Sequence, residues 1–197
     1  MREGIRTLLQ REQFDIVGEA SNGAEAVRLV DQFKPELAVL DLSMPTMNGI
    51  TAISHIRRIS PRTKNILLTM YTDEYHILDA LRAGVRGCVL KSQAADHLML
   101  AIRDVCAGGL YLSPAVSGVV VEAYLAKSEL PYDPLTDRER QVLQLVAEGN
   151  TTKQIAAVLG VTPKTAETHR VNVMDKLDIH TTAGLVRYAI RRGLIQA

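Results

Sequence analysis

Through the first 107 residues, short apolar runs alternate with segments whose apolar residues recur at helical spacing. The apolar runs predict strands at 14–20, 36–41, 64–70 and 87–91. Between and after them, apolar positions recur every three to four residues and predict helices at 23–33, 49–59, 73–84 and 94–109. The run at 36–41 has little polar alternation, which is typical of a strand buried on both faces. Strands and helices in this order predict a parallel sheet with helices on both faces.

The pattern begins with a helix instead of a strand. Residues 1–13 place Ile5, Leu8 and Leu9 on one helical face, and no strand precedes them. Residues 108–134 then change character. They predict a linker helix followed by a hinge at Pro131 and Pro134, so we expect a domain boundary there.

Residues 135–197 are helical throughout. Capping boxes begin two helices, the first formed by Thr136 with Glu139 and the second by Thr151 with Gln154. Thr162 caps a third helix, in which Pro163 holds the first position, and a fourth helix is predicted at about 181–192.

A tight turn at 160–162 joins two of these helices in a helix-turn-helix pattern. In the third helix the residues expected to pack inward are Ala166, His169, Val173 and Leu177. The residues expected on the outer face are Lys164, Glu167, Thr168, Val171, Asn172 and Asp175, with Arg170 and Lys176 on its flanks. Such a face can enter a major groove. The alternative is a small helical bundle with a solvated charged face. His169 could also read bases, although packing is the favoured interpretation.

The distribution of charge supports the DNA-binding interpretation only weakly. The 197-residue chain has a net charge of +1, yet residues 1–134 sum to −2 and residues 135–197 to +3. A basic C-terminal part permits nucleic-acid binding. The two cysteines, Cys88 and Cys106, have no metal-ligand spacing, and we expect inert thiols. We find no membrane-spanning run or signal sequence and expect a cytoplasmic protein.

A single carboxylate stands out in the N-terminal part. Asp41 ends the second apolar run, and Thr69 and Lys91 also end predicted strands. Because parallel strands end at one edge of a sheet, the three residues are expected near one another. Asp41 alone could be a helix cap or turn residue, but that interpretation does not explain why Thr69 and Lys91 also lie at the ends of predicted strands.

The C-terminal sequence "LTDRERQVLQLVAEGNTTKQIAAVLGVTPKTAETHRVNVMDKL" (135–177) closely resembles the LuxR-type four-helix DNA-binding domain. It departs slightly at Ala166, where the family usually has valine. The resemblance implies dimeric binding to a two-fold DNA site, with the fourth helix pairing the subunits. The residues expected at DNA are Lys153, Lys164, Thr165, Glu167, Thr168, Arg170, Val171 and Lys176.

Residues 1–107, with "LAVLDLSMPTMNG", "ILLTMYTDEYHILDALRAG" and "GCVLKS", resemble a receiver domain of the NarL/FixJ-type response regulators. The resemblance implies that Asp41 is the phosphoacceptor, phosphorylated by a sensor histidine kinase. It implies that Thr69 and Lys91 respond to the phosphoryl group, and that Asp41 and the Ser43 carbonyl bind Mg²⁺. The implied fold is a flavodoxin-like α/β receiver, truncated at its N-terminus, followed by the all-α LuxR-type domain.

The sequence departs from the receiver pattern in two places. The first strand of the family, which ends in a pair of acidic Mg²⁺ ligands, is absent. One hypothesis is that Met1 is not the native start; the other is a degenerate receiver that binds Mg²⁺ weakly or not at all. The second departure is Cys88, where the family usually has an aromatic residue. We expect weaker coupling from Thr69, or coupling through Tyr71 and Tyr75.

These observations predict a response regulator that is a transcription factor and not an enzyme. Its expected partners are duplex DNA, a histidine kinase, a second copy on DNA and RNA polymerase. One alternative is a phosphorylation-independent DNA-binding regulator whose receiver serves dimerisation or partner binding. Another is a phosphoryl-relay protein with no DNA role, which salt-dependent binding to duplex DNA would exclude.

Overall fold

A computed structural model describes residues 2–126 and 133–195. Its N-terminal part contains a parallel four-stranded sheet, in which the strands follow one another in chain order. The strands are β1 (Leu37–Asp41), β2 (Lys64–Thr69), β3 (Gly87–Leu90) and β4 (Tyr111–Leu112). The parallel sheet predicted from the apolar runs is therefore confirmed.

Helices connect the strands and form the C-terminal part. The receiver helices are α1 (Arg2–Arg11), α2 (Gly23–Phe33), α3 (Gly49–Ile59), α4 (Glu74–Ala83), α5 (Ala94–Cys106) and α6 (Pro114–Leu125). The C-terminal helices are α7 (Asp137–Ala147), α8 (Thr152–Leu159), α9 (Pro163–Leu177) and α10 (Thr182–Arg191).

The sheet separates two hydrophobic cores. On one face, α2, α3, α4 and α6 pack over the sheet from β1 to β3, with Ile53, Ile56 and Leu67 at most 1% exposed. On the other face, Leu98 and Ile102 of α5 are buried, and α1 adds its apolar stripe. Helices thus cover both faces, as the βα alternation predicts.

The strand predicted at 14–20 is wrong. These residues form no strand, and Phe14 and Val17 are 39% and 44% exposed. A strand exists only where a neighbour completes its hydrogen-bond ladder, and within residues 2–126 and 133–195 the only strand that pairs with β1 is β2. The apolar composition of 14–20 therefore predicted a strand whose partner is not among the described residues.

The segment predicted as a linker contributes to the receiver. Tyr111 and Leu112 form β4, which the sequence analysis did not predict, and pair in parallel with Gly87 and Cys88. Helix α6 then packs against α4 and β3. The predicted hinge at Pro131 lies outside the described residues.

The C-terminal helices enclose a separate core. Val142 and Leu143 of α7, Val173 of α9 and Leu185 of α10 are fully buried. Both predicted capping boxes are present, and Thr162 caps α9 with Pro163 at its first position. None of the helices in the described ranges is long and apolar enough to cross a bilayer.

Candidate phosphoryl site and nucleic-acid interface

Asp41 lies at the carboxyl end of β1 beside a lysine ammonium. Lys91 Nζ is 2.6 Å from Asp41 Oδ2, and the backbone N–H of Ser43 donates to Asp41 Oδ1 at 3.0 Å. The Lys91 side chain is 13% exposed and that of Asp41 33%, so the pair is screened from water on one side only. The carboxylate is accessible and its charge is partly neutralised.

Thr69 is the last residue of β2, which lies in the sheet between β1, ending at Asp41, and β3, which precedes Lys91. Register places Leu68 opposite Asp41 and Leu90 opposite Thr69. The Thr69 hydroxyl is turned toward the following loop, where it accepts from the backbone N–H of Tyr71 at 2.9 Å. The sheet therefore places the three predicted residues at the carboxyl ends of adjacent strands.

The described residues do not by themselves form a magnesium site. They contain no group of three or more His, Cys, Asp or Glu side chains that could hold a metal ion. Among the described residues, Asp41 is the carboxylate that ends a strand at this site, and both its oxygens already accept hydrogen bonds. Mg²⁺ requires near-octahedral oxygen ligation, commonly with carboxylates. Asp41 and the Ser43 carbonyl are too few protein ligands for a strong site.

Neither cysteine has the features of a reactive thiol. Cys88 is 1% exposed within β3, and burial raises its pKa to about 12. Burial, with the nearby charge of Glu36, also raises the pKa of Cys106. Thiolates are the reactive form, so both groups remain protonated at neutral pH.

Helix α9 presents the face expected at DNA. Ala166 and Val173 are buried, while His169 and Leu177 are partly buried on the same side. The exposed residues of the opposite side are Lys164, Thr165, Glu167, Thr168, Val171, Asn172, Asp175 and Lys176. Lys153 is exposed on α8.

Several of these side chains already have partners within the domain. Lys176 Nζ is 2.7 Å from Glu139 Oε2, so a carboxylate partly offsets its charge. Glu167 accepts from the Thr152 hydroxyl at 2.9 Å, and Arg170 donates to the Thr182 hydroxyl at 3.2 Å. Lys153 and Lys164 form no ion pair among the described residues. They are the cations best placed for phosphates.

The loop after Asp41 is held by α7 of the C-terminal domain. Gln144 Oε1 accepts from the backbone N–H of Asn48 at 2.9 Å, and Gln144 Nε2 donates to the Met44 carbonyl at 2.8 Å. Glu148 accepts from the backbone N–H of Thr46, also at 2.9 Å. Thr46 has φ of 68°, a left-handed conformation that β-branched residues rarely adopt. Two side chains of one domain thus fix a loop of the other.

A partly buried ionic cluster forms a second contact between the domains. Arg140 of α7 lies 2.7 Å from Asp133 and 3.6 Å from Asp79 of α4. Burial raises the pKa of Asp79 against the opposing attraction of Arg140. Beside the cluster, the guanidinium of Arg192 lies 3.8 Å from the centre of the Tyr75 ring, in cation–π geometry.

Aromatic contacts continue from Thr69 toward the same interface. The Tyr71 ring stacks on that of His76 with centroids 4.7 Å apart, and His76 Nδ1 bonds Asp73 at 2.6 Å. His76 Nε2 is buried against Gly193, and a Cβ added to that glycine would clash with the imidazole ring. Tyr71 and Tyr75, which the sequence suggested for coupling, therefore lie between the candidate phosphoryl site and the C-terminal domain.

Sequence reasoning missed the residues that join the domains, including Gln144, Glu148, Arg140 and Arg192. Gln144 and Glu148 lie one turn apart, and in the sequence alone they resemble solvent-exposed polar residues of an amphipathic helix. The one available signal was an excess of polar residues on α7, whose Glu139, Gln141 and Gln144 are all buried.

Family comparisons agree with this architecture. Residues 1–103 match the response regulator receiver domain, and residues 133–189 match the bacterial regulatory proteins of the luxR family. The chain belongs to the response regulators that join a receiver to a LuxR-type DNA-binding domain.

Among curated proteins, the chain is similar to the transcriptional regulatory protein MctR of Rhizobium johnstonii. The two are 36% identical over 194 residues, which cover 98% of this chain and 89% of that protein. It is 34% identical over 204 residues to the oxygen regulatory protein NreC of Staphylococcus haemolyticus, covering 99% of this chain and 94% of the relative.

Among solved structures, the chain is similar to RcsB of Salmonella enterica serovar Typhimurium, bound to promoter rprA in the presence of the phosphomimetic BeF3−. The TM-score is 0.59 at 28% identity, covering 94% of this chain and 90% of that chain. A LuxR-family response regulator from Aurantimonas gives a TM-score of 0.60 at 34% identity, covering 63% of this chain and 89% of the other.

Proposed function

We propose that this chain is a transcription regulator whose binding to DNA is controlled by phosphorylation of Asp41 by a sensor histidine kinase. The observation that carries the proposal is the shared loop. This loop begins at Asp41. Gln144 and Glu148 of the DNA-binding domain form hydrogen bonds with its backbone between Met44 and Asn48. A chemical change at Asp41 therefore acts on the contact between the domains.

In the proposed reaction, a carboxylate oxygen of Asp41 attacks the phosphorus of a phosphorylated histidine on the kinase. The phosphorus–nitrogen bond breaks as the new phosphorus–oxygen bond forms, and the imidazole leaves with the electron pair. The acyl phosphate adds negative charge beside Lys91, whose ammonium is already 2.6 Å from the carboxylate. The described residues supply this one neutralising cation at the site.

The phosphoryl oxygens then compete for the groups that hold the loop. The Ser43 N–H, now bonded to Asp41, and the Thr69 hydroxyl, now bonded to Tyr71, are the donors within the site. When these donors turn to the phosphoryl group, the loop and the Tyr71 contact rearrange. The strained Thr46 and its bond to Glu148 are released with them.

The freed C-terminal domain would bind a two-fold DNA site as a dimer. Lys153 and Lys164 would contact phosphates, while Thr168 and Val171 would approach base edges. In the same proposal, α10 pairs two subunits, RNA polymerase is a further partner and the protein is cytoplasmic.

The test uses the full chain, a small acyl phosphate as donor and duplex DNA selected from a random pool by the chain itself. We expect intact mass spectrometry to show one added phosphoryl group, absent in Asp41→Asn, and anisotropy to show tighter DNA binding after the reaction. Equal DNA binding by both proteins, with no added phosphoryl group, would establish the phosphorylation-independent alternative. Omission of Mg²⁺ from a parallel reaction measures the dependence on the metal.

A further inference from the structure

A groove of about 630 Å³ lies at the amino ends of β2 and β3. Three arginines line it, namely Arg57 at the end of α3, Arg62 in the turn before β2 and Arg86 just before β3. Asp41 ends a strand at the opposite edge of the sheet, and the six residues of β2 span about 20 Å between the two edges. The groove is therefore separate from the candidate phosphoryl site.

The groove is strongly basic. Arg57, Arg62 and Arg86 are exposed, and their side chains form no ion pair or hydrogen bond within residues 2–126 and 133–195. A fourth cation, Lys64, is already paired with Glu36 at 3.2 Å, and the described lining of the groove contains no aspartate or glutamate. Three positive charges thus converge on one concave surface without a compensating anion.

The favourable effect of a helix end accounts for only one of these arginines. Arg57 is in the last turn of α3, where the partial negative charge of the helix end favours a cation. Arg62 and Arg86 lie outside the helices, so this effect does not place them. A Cβ added to Gly84, at φ of 100°, would lie 3.1 Å from Arg57 Cδ. The Arg57 side chain therefore packs against the turn that leads to Arg86.

Backbone donors add to the same surface. The N–H groups of Arg62 and Leu110 form no hydrogen bond within the described ranges, and Gly108 has open space around its Cα, so a ligand can approach the backbone there. Guanidinium and backbone N–H groups bind phosphoryl oxygens, and an arginine can do so through two parallel hydrogen bonds. The complement of this surface is therefore a group rich in anionic acceptors.

One buried acceptor in the groove lacks a donor. Asn65, which is 3% exposed, lines the groove. Its Nδ2 donates to the Thr63 carbonyl at 3.3 Å, but its Oδ1 has no hydrogen-bond partner among the described residues. An unsatisfied buried acceptor is destabilising, and a ligand with a hydroxyl or amine donor can supply the missing bond. Because Oδ1 is shielded from water, that bond requires the groove wall to move on binding.

We infer that this groove binds a small phosphorylated molecule that also carries hydroxyl or amine donors, which is the chemistry of a nucleotide. Its phosphoryl oxygens would bond Arg57, Arg62 and Arg86, and one of its donors would bond Asn65 Oδ1. Duplex DNA is a poorer occupant because its phosphates follow a long, convex backbone. The three arginines instead converge on a concavity whose volume is that of ordinary small-molecule sites.

The test uses the full chain and ATP as the probe, with EDTA so that the nucleotide keeps its charge. Salt at about 0.15 M screens weak surface attraction. Titration calorimetry measures the affinity, and NMR locates the site. We expect the backbone amides of Arg62 and Leu110 and the side-chain amide of Asn65 to shift on binding. Arg86→Gln should weaken binding by about tenfold or more, because charge-assisted hydrogen bonds are lost.

Arg82→Gln is the matched control. It removes the same charge from an exposed arginine of α4 that does not line the groove, so it should bind ATP as the wild type does. Both arginines are exposed, and neither change should alter the melting temperature. Inorganic tripolyphosphate has a charge at least as large as that of ATP but lacks the donors for Asn65. It should bind about fivefold more weakly.

Three other results have distinct meanings. Shifts confined to α9, with the same affinity in Arg86→Gln and wild type, would mean that ATP imitates DNA phosphates at the DNA-binding face. Equal losses in the two arginine variants would indicate attraction by net charge alone. Equal binding of tripolyphosphate and ATP would mean that no donor of the ligand is recognised. Each of these results, or no binding, overturns the inference, and none depends on phosphorylation of Asp41.

Discussion

Gln144 accepts a hydrogen bond from the backbone N–H of Asn48 at 2.9 Å, joining the first helix of the DNA-binding domain to the loop that begins at Asp41. Gln144 is 1% exposed and Asn48 is 2% exposed, so water does not replace this bond while the two domains are in contact. The two residues are 96 positions apart in the chain and belong to different domains.

Replacing Gln144 with leucine should open the interface. The change leaves the Met44 carbonyl and the Asn48 N–H without partners, and each unsatisfied buried group costs about 1–3 kcal/mol. We expect a larger radius of gyration by small-angle scattering and tighter binding to DNA without phosphorylation. Gln10→Leu, at an exposed position of α1, is the control and should change neither quantity. An unchanged radius of gyration in Gln144→Leu would mean that this contact does not hold the domains together.

Lys91→Met should separate function from stability. The Asp41 carboxylate is 33% exposed, and a partly exposed ion pair contributes only about 0–1 kcal/mol, so the melting temperature should change by a few degrees at most. Phosphoryl uptake should fall by about tenfold or more, because the added charge has lost its neutralising cation. Thermal unfolding and intact mass measure the two effects. Wild-type uptake by the variant would remove Lys91 from the proposed reaction.

Asp79→Asn should change how stability depends on pH. Because burial raises the pKa of Asp79 in the folded protein, the folded state binds that proton more tightly than the unfolded chain. Ionisation of Asp79 therefore lowers stability as pH rises from its ordinary value of 3.8 through its folded pKa. The asparagine variant lacks this loss, so its stability relative to wild type should increase over that interval. Urea unfolding at a series of pH values checks the sign, and Asp31→Asn on the exposed face of α2 provides the control.

Lys164→Ala and Val171→Ala should affect DNA binding in different ways. Loss of a phosphate contact weakens binding to all sequences and reduces the slope of log affinity against log salt by about 1. Loss of a side chain at a base edge changes the preferred sequence and leaves the slope unchanged. Anisotropy titrations at several salt concentrations separate the two. Arg62→Ala, an exposed receiver cation, should leave both unaltered.

Glu139 should stabilise the DNA-binding domain in two separable ways. Burial alone would raise its pKa, but hydrogen bonds from Lys176 and Thr136 outweigh that effect and hold the pKa below 4.5. Its contribution is therefore present above 4.5 and is lost as pH falls through the lowered folded pKa. Glu139→Gln keeps an acceptor for the capping box and loses the ion pair, whereas Glu139→Ala loses both. Thermal unfolding should rank wild type, glutamine and alanine in that order, with alanine lower by about 1–2 kcal/mol than glutamine.

Local pattern predicted most of the elements. Caps such as Thr136 and Thr162 and the glycine at Gly84 act within one turn of helix, so a short window of sequence contains their cause. The apolar runs also placed Asp41, Thr69 and Lys91 at strand ends, but their assignment to a phosphoryl site came from the family resemblance and stays a prediction.

Features that depend on distant parts of the chain were not predictable. The apolar run at 14–20 has the composition of a strand, but a strand also needs a neighbour, and composition does not say whether one exists. Gln144 satisfies groups 96 and 100 positions away, and no local periodicity distinguishes it from a solvated glutamine. Tyr111 and Leu112 are too short a run to signal a strand before β3 is in place.

The receiver contacts α7 through Gln144, while the outward residues of α9 remain exposed. We therefore expect that an unphosphorylated molecule can still bind duplex DNA through Lys164 and its neighbours, weakly, briefly and without sequence preference. Control exerted in this way would set how long two subunits stay together at a site more than whether one subunit arrives. If phosphorylation of Asp41 controls DNA binding as proposed, single-molecule residence times are expected to change and arrival rates are not.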